Sequence, residues 1–148
     1  MHAFKYFMAF SGFGIALAAQ VALAQNTQFQ SGQVVSATEV KFKDLGGPQL
    51  GTVWGDSSKG AHGSFLRLPK GFISPSHLHT GDYDAVVVEG TVTNVEAGQK
   101  AIPLGPGSYF VQRAKVNHVT SCLSKKPCLL YVTQREAFDF ITPNATAN

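Results

Sequence analysis

The chain is 148 residues long, 44% hydrophobic and 14% charged, with a formal net charge of +3 and a pI near 9.0. That length allows one domain, and the balance belongs to a folded chain rather than a disordered one. Fifteen glycines and seven prolines favour turns over long helices, and the lysines form neither a nucleic-acid stripe nor a membrane-binding charge run.

Residues 1–24 read as a cleaved signal peptide. Lys5 marks a short charged start, Tyr6 to Leu23 is mostly apolar, and Ala22-Leu23-Ala24 is a small-x-small cleavage site. Ser11, Gly12, Gly14 and Gln20 make this stretch a poor permanent membrane span. The expectation is a periplasmic or secreted protein that leaves the membrane after cleavage.

Residues 25–49 are expected to be a flexible leader and an N-terminal arm. Gln25 to Gly32 is polar and aperiodic, Val34 to Phe42 alternates weakly as a first strand or surface arm, and Asp44 to Gly51 is loop. From residue 50 to 141 short apolar runs recur between turn residues. Strands are expected at Leu50–Trp54, Gly63–Leu68, Tyr83–Val88, Thr91–Val95, Lys100–Leu104, Ser108–Gln112, Val116–Cys122 and Leu129–Thr133. Thr91–Val95 should form a hairpin with the strand before it. No window holds a sustained 3.6-residue period, so the class is all-β, a sandwich or barrel. Residues 142–148 should fray.

The two cysteines, Cys122 and Cys128, flank the polar loop Leu123 to Pro127. Export would place them in an oxidising compartment, and a hairpin loop of that length would set them opposite each other as a disulfide. A redox or metal pair would instead favour C-x-x-C spacing.

The part after the signal peptide has four histidines: His62, His77, His79 and His118. Residues two apart on a strand share a face, so His77 and His79 can meet one ion, with His118 arriving from a distant strand. Three neutral imidazoles suit zinc, iron, copper or nickel. His62, in a Gly-rich loop, reads as a surface histidine. Gln112 and Gln134 read as residues of the solvent face, with a cavity-lining role as the alternative.

The stretch Gly71 to Gly90, with His77-Leu78-His79 inside it, resembles the first cupin motif. Gly107 to Cys122 has the spacing of the second, with Gly107 and His118 matching and Arg113, Lys115 and Cys122 replacing the family's Pro, Gly and Asn. The resemblance covers roughly residues 50 to 140 and implies a single cupin-type jelly-roll β-barrel. Trp54-Gly55-Asp56, the two cysteines and the ending Ala137-Phe138-Asp139-Phe140 look like exported ChrR-like cupins.

The chain departs from the family at the fourth ligand, where a Glu is usual. Counting back from Gly90 puts Tyr83 in that slot, whereas counting on from His79 puts Asp84 there. Strand parity sends the two to opposite faces. Tyr83 is expected inward, as a catalytic phenol or as a core aromatic; Asp84 becomes a carboxylate ligand only if a bulge shifts the register. The resemblance implies one divalent metal, Fe(II) or Zn(II) first, with manganese, nickel and copper as alternatives. It also implies a homodimer and dioxygenase-like or related chemistry on a small organic substrate. A non-catalytic metal- or ligand-binding cupin is the other reading.

Overall fold

The computed structural model describes residues 32–143, and these contain strands and no helix. The expected signal peptide, most of the leader and most of the tail lie outside the described residues. The chain divides into two units, residues 1–33 and 34–148, and every strand belongs to the second.

The strands are β1 Lys43–Asp44, β2 Gln49–Gly55, β3 His62–Leu68, β4 Tyr83–Glu89, β5 Val92–Glu96, β6 Tyr109–Gln112, β7 His118–Cys122 and β8 Cys128–Gln134. Six form one antiparallel sheet in the order β1-β2-β3-β8-β4-β6, and β5 pairs with β7 in a second. Bridges at Ile73–Ser121 and His77–His118 lay the 73–77 segment along the free side of β7, and a Val92–Leu104 bridge borders β5. This is the jelly-roll arrangement expected from the sequence.

Period-two patterning explains the layers. Along β8, Cys128, Leu130, Val132 and Gln134 are buried and the residues between them less so. Along β4, Tyr83, Ala85 and Val87 face inward while Asp84, Val86 and Val88 face out. The core joins Leu50, Leu68, Ala85, Val87, Leu130 and Val132 of the large sheet to Val92 and Cys122 of the small one. Each such aliphatic side chain stabilises the fold by roughly 1.5–3 kcal/mol when fully buried.

Several local expectations are corrected. Thr91–Val95 makes no hairpin with β4: β5 pairs with β7, Val92 opposite Cys122 through Glu96 opposite His118. The turn at Gly90, with φ +83, carries the chain from one sheet to the other. A side chain at Gly90 would be strained, and its Cβ would lie 2.7 Å from Cys128 Sγ.

The cysteines are bonded, with Cα atoms 5.8 Å apart, but not across a hairpin. β7 and β8 lie in different sheets, so the disulfide ties the end of one sheet to the start of the other. Lys100–Leu104 forms no strand beyond the single Leu104 bridge.

Residues 34–42 are not a strand either. The first strand falls at Lys43–Asp44, at the start of the expected loop. Asp44 Oδ1 accepts the Gly46 and Gly47 amides at 2.9 and 3.1 Å and so closes a tight turn into β2. Val40 and Phe42 of the arm pack on Gly51, where a Cβ would lie 2.4 Å from Val40 Cγ1. The Arg67 guanidinium covers the Phe42 ring at 3.9 Å.

Candidate metal centre

The extended segment before β4 supplies His77 and His79, and the first residue of β7 supplies His118. The backbone of His77 pairs with that of His118 in both directions, at 3.0 and 2.9 Å. This pairing brings residues distant in sequence side by side. One ring nitrogen from each histidine lies within 4.8 Å of the others. The three residues are 3%, 4% and 1% exposed, in chain order.

Hydrogen bonding fixes the tautomers. Nδ1 of His77 reaches the Pro75 carbonyl at 3.0 Å, Nδ1 of His79 the Asp139 carbonyl at 2.5 Å, and Nδ1 of His118 the Val116 carbonyl at 3.1 Å. A carbonyl can only accept, so each Nδ1 carries the proton and each Nε2 keeps a free lone pair. His118 Nε2 is buried and has no hydrogen-bond partner. A buried lone pair without a partner is costly, and with ring nitrogens of His77 and His79 within 4.8 Å the cluster fits a cation. The donor set is that of a three-histidine site with outer carbonyls orienting each ring.

Burial keeps these rings neutral. Desolvation lowers the pKa of His77 and His79 and takes His118 down to about 4. For His79 the Asp139 carbonyl and carboxylate pull the other way without reversing the sign. The Asp139 carboxylate is 3.6 Å from His79 Nδ1, but a neutral ring makes no ion pair with it, and the shorter carbonyl bond sets the orientation.

Tyr83 lies inward and lines the same cavity, its ring centroid 5.2 Å from that of His79. Burial pushes its phenol pKa far up, so it stays protonated. Thr120 is the polar side chain beside its hydroxyl. Thr120 Oγ1 donates to Asn94 Oδ1 at 2.7 Å, Asn94 Nδ2 donates to Gln112 Oε1 at 2.7 Å, and Gln112 Nε2 reaches the Val116 carbonyl at 3.3 Å. That carbonyl also holds His118, so one polar chain runs from Thr120, beside Tyr83, to the histidine cluster.

Asp84 does not reach the site. It is exposed on the outer face of β4 and accepts the Tyr109 hydroxyl. No bulge intervenes, because Tyr83 and Asp84 pair regularly with Gln112 and Val111.

Three other expectations are corrected. His62 is no surface histidine: it is 0% exposed as the first residue of β3, with Nδ1 on the Gly60 carbonyl at 2.9 Å. Gln112 and Gln134 face the interior, at 0% and 5% exposure. His62, Gln134, Tyr83 and Gln112 form one cross-strand row over β3, β8, β4 and β6.

The sequence reading did not single out Ser74, Asn94, Thr120 or Asp139 as parts of the site. Asp139 belongs to a strap crossing the His-x-His segment. Leu78 and Ile141 exchange backbone hydrogen bonds at 2.9 and 3.0 Å, and the Asp139 carboxylate accepts the Thr80 amide. Phe140 stacks on His77 with centroids 4.0 Å apart. The Phe138-Asp139-Phe140 run was the available signal. A cavity of 430 Å³ opens beside the cluster, lined mainly by leucine, phenylalanine, valine and proline side chains together with His77, His79, Tyr83 and Gln134.

The family profile described as "Domain of unknown function (DUF4437)" matches residues 31–148. The fold is similar to that of an RmlC-like cupin from Shewanella frigidimarina, at 21% identity, TM-score 0.60, covering 74% of this chain and 96% of that one. It is similar to the polyketide cyclase RemF from Streptomyces resistomycificus, at 17% identity, TM-score 0.62, with 80% and 88% covered. It also resembles a predicted oxalate decarboxylase from Thermotoga maritima, at 16% identity, TM-score 0.59, with 70% and 99% covered. These likenesses establish a cupin fold. No curated protein matches the chain.

Proposed function

The chain belongs to the family described as a domain of unknown function, DUF4437, and from its cupin fold and histidine cluster we propose that it is an exported metal-dependent enzyme acting on a small organic molecule. One observation carries this reading. Three rings have Nδ1 tied to backbone carbonyls, leaving ring nitrogens within 4.8 Å of one another and a buried, unpartnered Nε2 on His118.

His77, His79 and His118 would hold one divalent ion, Fe(II) or Zn(II) first, with manganese, nickel or copper as alternatives. Such an ion, held by three protein ligands with open positions, supplies Lewis-acid or oxygen-activating chemistry. The chain's own residues have separate tasks. Asp139, Pro75 and Val116 hold the imidazoles by their carbonyls. Tyr83, kept protonated by burial, offers its hydroxyl as a hydrogen-bonding group and is unsuited to act as a base. Phe138 and Phe140 screen the histidines from water. Enzymes among the similar folds, a polyketide cyclase and a predicted oxalate decarboxylase, support catalysis in a barrel of this kind without choosing the reaction.

A second reading, a non-catalytic cupin that captures a metal or small ligand, is favoured by one observation. Among the described residues, no carboxylate lines the cavity to serve as a general base. Export rests on the Lys5, apolar run and Ala22-Leu23-Ala24 pattern. The likeness to exported ChrR-like cupins rests on Trp54-Gly55-Asp56, the cysteine pair and the 137–140 ending. A homodimer is supported by the exposed apolar side chains Trp54, Val86, Val88 and Tyr109 on the outer sheet face.

The test is elemental analysis of protein exported to a periplasm and purified without a histidine tag, beside a variant carrying His77→Ala and His118→Ala. Near one equivalent of a transition metal, lost in the variant, is the expected result. A protein that neither carries nor takes up any such ion would sink the reading.

A further inference from the structure

The cavity beside the histidines has an unusual wall for a site that would hold a charged ion. Among the described residues lining it, none is Asp, Glu, Lys or Arg. Away from His77 and His79 the wall is Leu45, Leu66, Leu68, Phe72, Val132 and Phe138 with a few uncharged polar groups. A ligand carboxylate, sulfonate or phosphate placed against that wall would lose its water and gain no counter-charge, which is strongly unfavourable.

The polar groups on the wall are unequal. Ser74 Oγ accepts the Thr120 amide at 3.0 Å and lies 3.3 Å from His77 Nδ1. Thr120 is spent on Asn94, and the Tyr83 hydroxyl lies beside Thr120. Gln134 differs: it is 5% exposed, lines the cavity, and its Nε2 has no partner. It is the direct cross-strand neighbour of Tyr83, so its carboxamide lies on the row that borders the histidine cluster. A buried amide without a partner costs free energy until a ligand or water supplies one.

We propose that the cavity takes a compact, largely apolar molecule with a single ionisable oxygen group directed at the histidines and an uncharged hydrogen-bonding group met by Gln134. This rests on the reading of His77, His79 and His118 as the ion site. It excludes sugar acids, phosphorylated metabolites and dicarboxylates whose second charge lies beyond the reach of the ion. At 430 Å³ the cavity is in the range that encloses a molecule of one or two fused rings. Gln134 becomes the residue that decides specificity within that class.

The experiment is a calorimetric titration of the exported full chain, loaded with zinc, using three ligands on one ring system. These are 2-naphthoate, naphthalene-2,6-dicarboxylate and 6-hydroxy-2-naphthoate. The expected result is binding of 2-naphthoate at least tenfold tighter than the dicarboxylate, since the second charge has no partner on the wall. In Gln134→Leu, 6-hydroxy-2-naphthoate should weaken about fivefold to tenfold, the worth of one hydrogen bond, while 2-naphthoate changes less than about twofold.

Equal or tighter binding of the dicarboxylate would overturn the proposal, and so would a Gln134→Leu change that affects both monocarboxylates alike. Binding of none of the three ligands would also overturn it. The wild-type comparison stands even if the variant does not fold. Metal content of the same samples separates this proposal from the ion reading. If no ion is retained, that reading falls alone. Neutral 2-acetonaphthone is then compared with the dicarboxylate in the metal-free protein, where preference for the neutral ketone is expected and preference for the dianion overturns the ligand class.

Discussion

The backbone carbonyl of Asp139 holds the imidazole of His79 by a 2.5 Å hydrogen bond across a sequence separation of 60 residues. The same residue's carboxylate accepts the Thr80 amide at 3.0 Å, so the C-terminal strap is fastened to the His-x-His segment at two adjacent points. Asp139→Ala removes the side-chain fastening and leaves the carbonyl in place but free to drift. Zinc affinity, measured by competition with a chromogenic chelator, should fall roughly tenfold to a hundredfold, the usual effect of losing a group that orients a ligand. Unchanged affinity would show that the strap does not position His79.

Acid should weaken the metal-free fold in a defined window. Burial lowers the pKa of His77, His79 and His118, the last to about 4. Above the ordinary imidazole value of 6.5 the rings are neutral in both folded and unfolded chains, and their titration leaves stability unaffected. Between 6.5 and about 4 the unfolded chain binds protons that the folded chain does not, so stability falls as pH falls. For His118 alone the loss approaches about 3 kcal/mol at the bottom of that window. Melting temperatures of chelator-treated protein from pH 7.5 to 4 should drop, and His118→Ala should flatten the curve. A curve equally steep in the variant would place the acid sensitivity elsewhere.

The features most legible in the sequence were those with a short period or a fixed spacing. Alternation in Tyr83–Val88 and the turn residues between runs were enough for an all-β chain. Strand parity sets Tyr83 and Asp84 on opposite faces, and the regular run into Gly90 favours Tyr83 as the inward one, as found. What escaped depends on which strands are neighbours. Thr91–Val95 follows β4 after one turn, and local logic joins the two, but the hydrogen-bond partner of β5 is β7, fixed by closure of the barrel. The cysteines were paired for a local reason that does not hold, since their strands lie in different sheets. His62 looked exposed because Gly60 and Gly63 flank it. Its burial follows from pairing with Gln134, which no local window contains. Asp139 stands out in the sequence only within the 137–140 ending, and its contact with His79, 60 residues away, lies outside any local window.

The Cys122–Cys128 bond closes a sequence separation of only 6, so its effect on the unfolded chain is small. Its position between sheets adds a constraint on the folded barrel, where Gly90 packs against Cys128. The double change Cys122→Ser and Cys128→Ser should lower stability by about 2 kcal/mol in urea denaturation, with the metal content retained. A change well under 0.5 kcal/mol would mean that packing around Val92 and Leu130 alone holds the sheets together at this end.

The register of β4 yields the sharpest test of the candidate site. Tyr83 and Asp84 are consecutive and point to opposite faces, and Asp84 is engaged by the Tyr109 hydroxyl on the outside. Asp84→Asn keeps the shape and removes the charge. If the three histidines alone hold the ion, its metal stoichiometry and affinity should match wild type within about twofold, while His79→Ala should lose roughly a hundredfold or more by removing a ligand outright. Tyr83→Phe should keep the ion and disturb only what the hydroxyl touches, Thr120 and any bound ligand. Metal loss in Asp84→Asn would require the strand to slip by one residue, turning every side chain of β4 to the other face. That slip would expose Ala85 and Val87 and bury Val86 and Val88, so hydrogen exchange or cysteine labelling at those positions would reveal it independently.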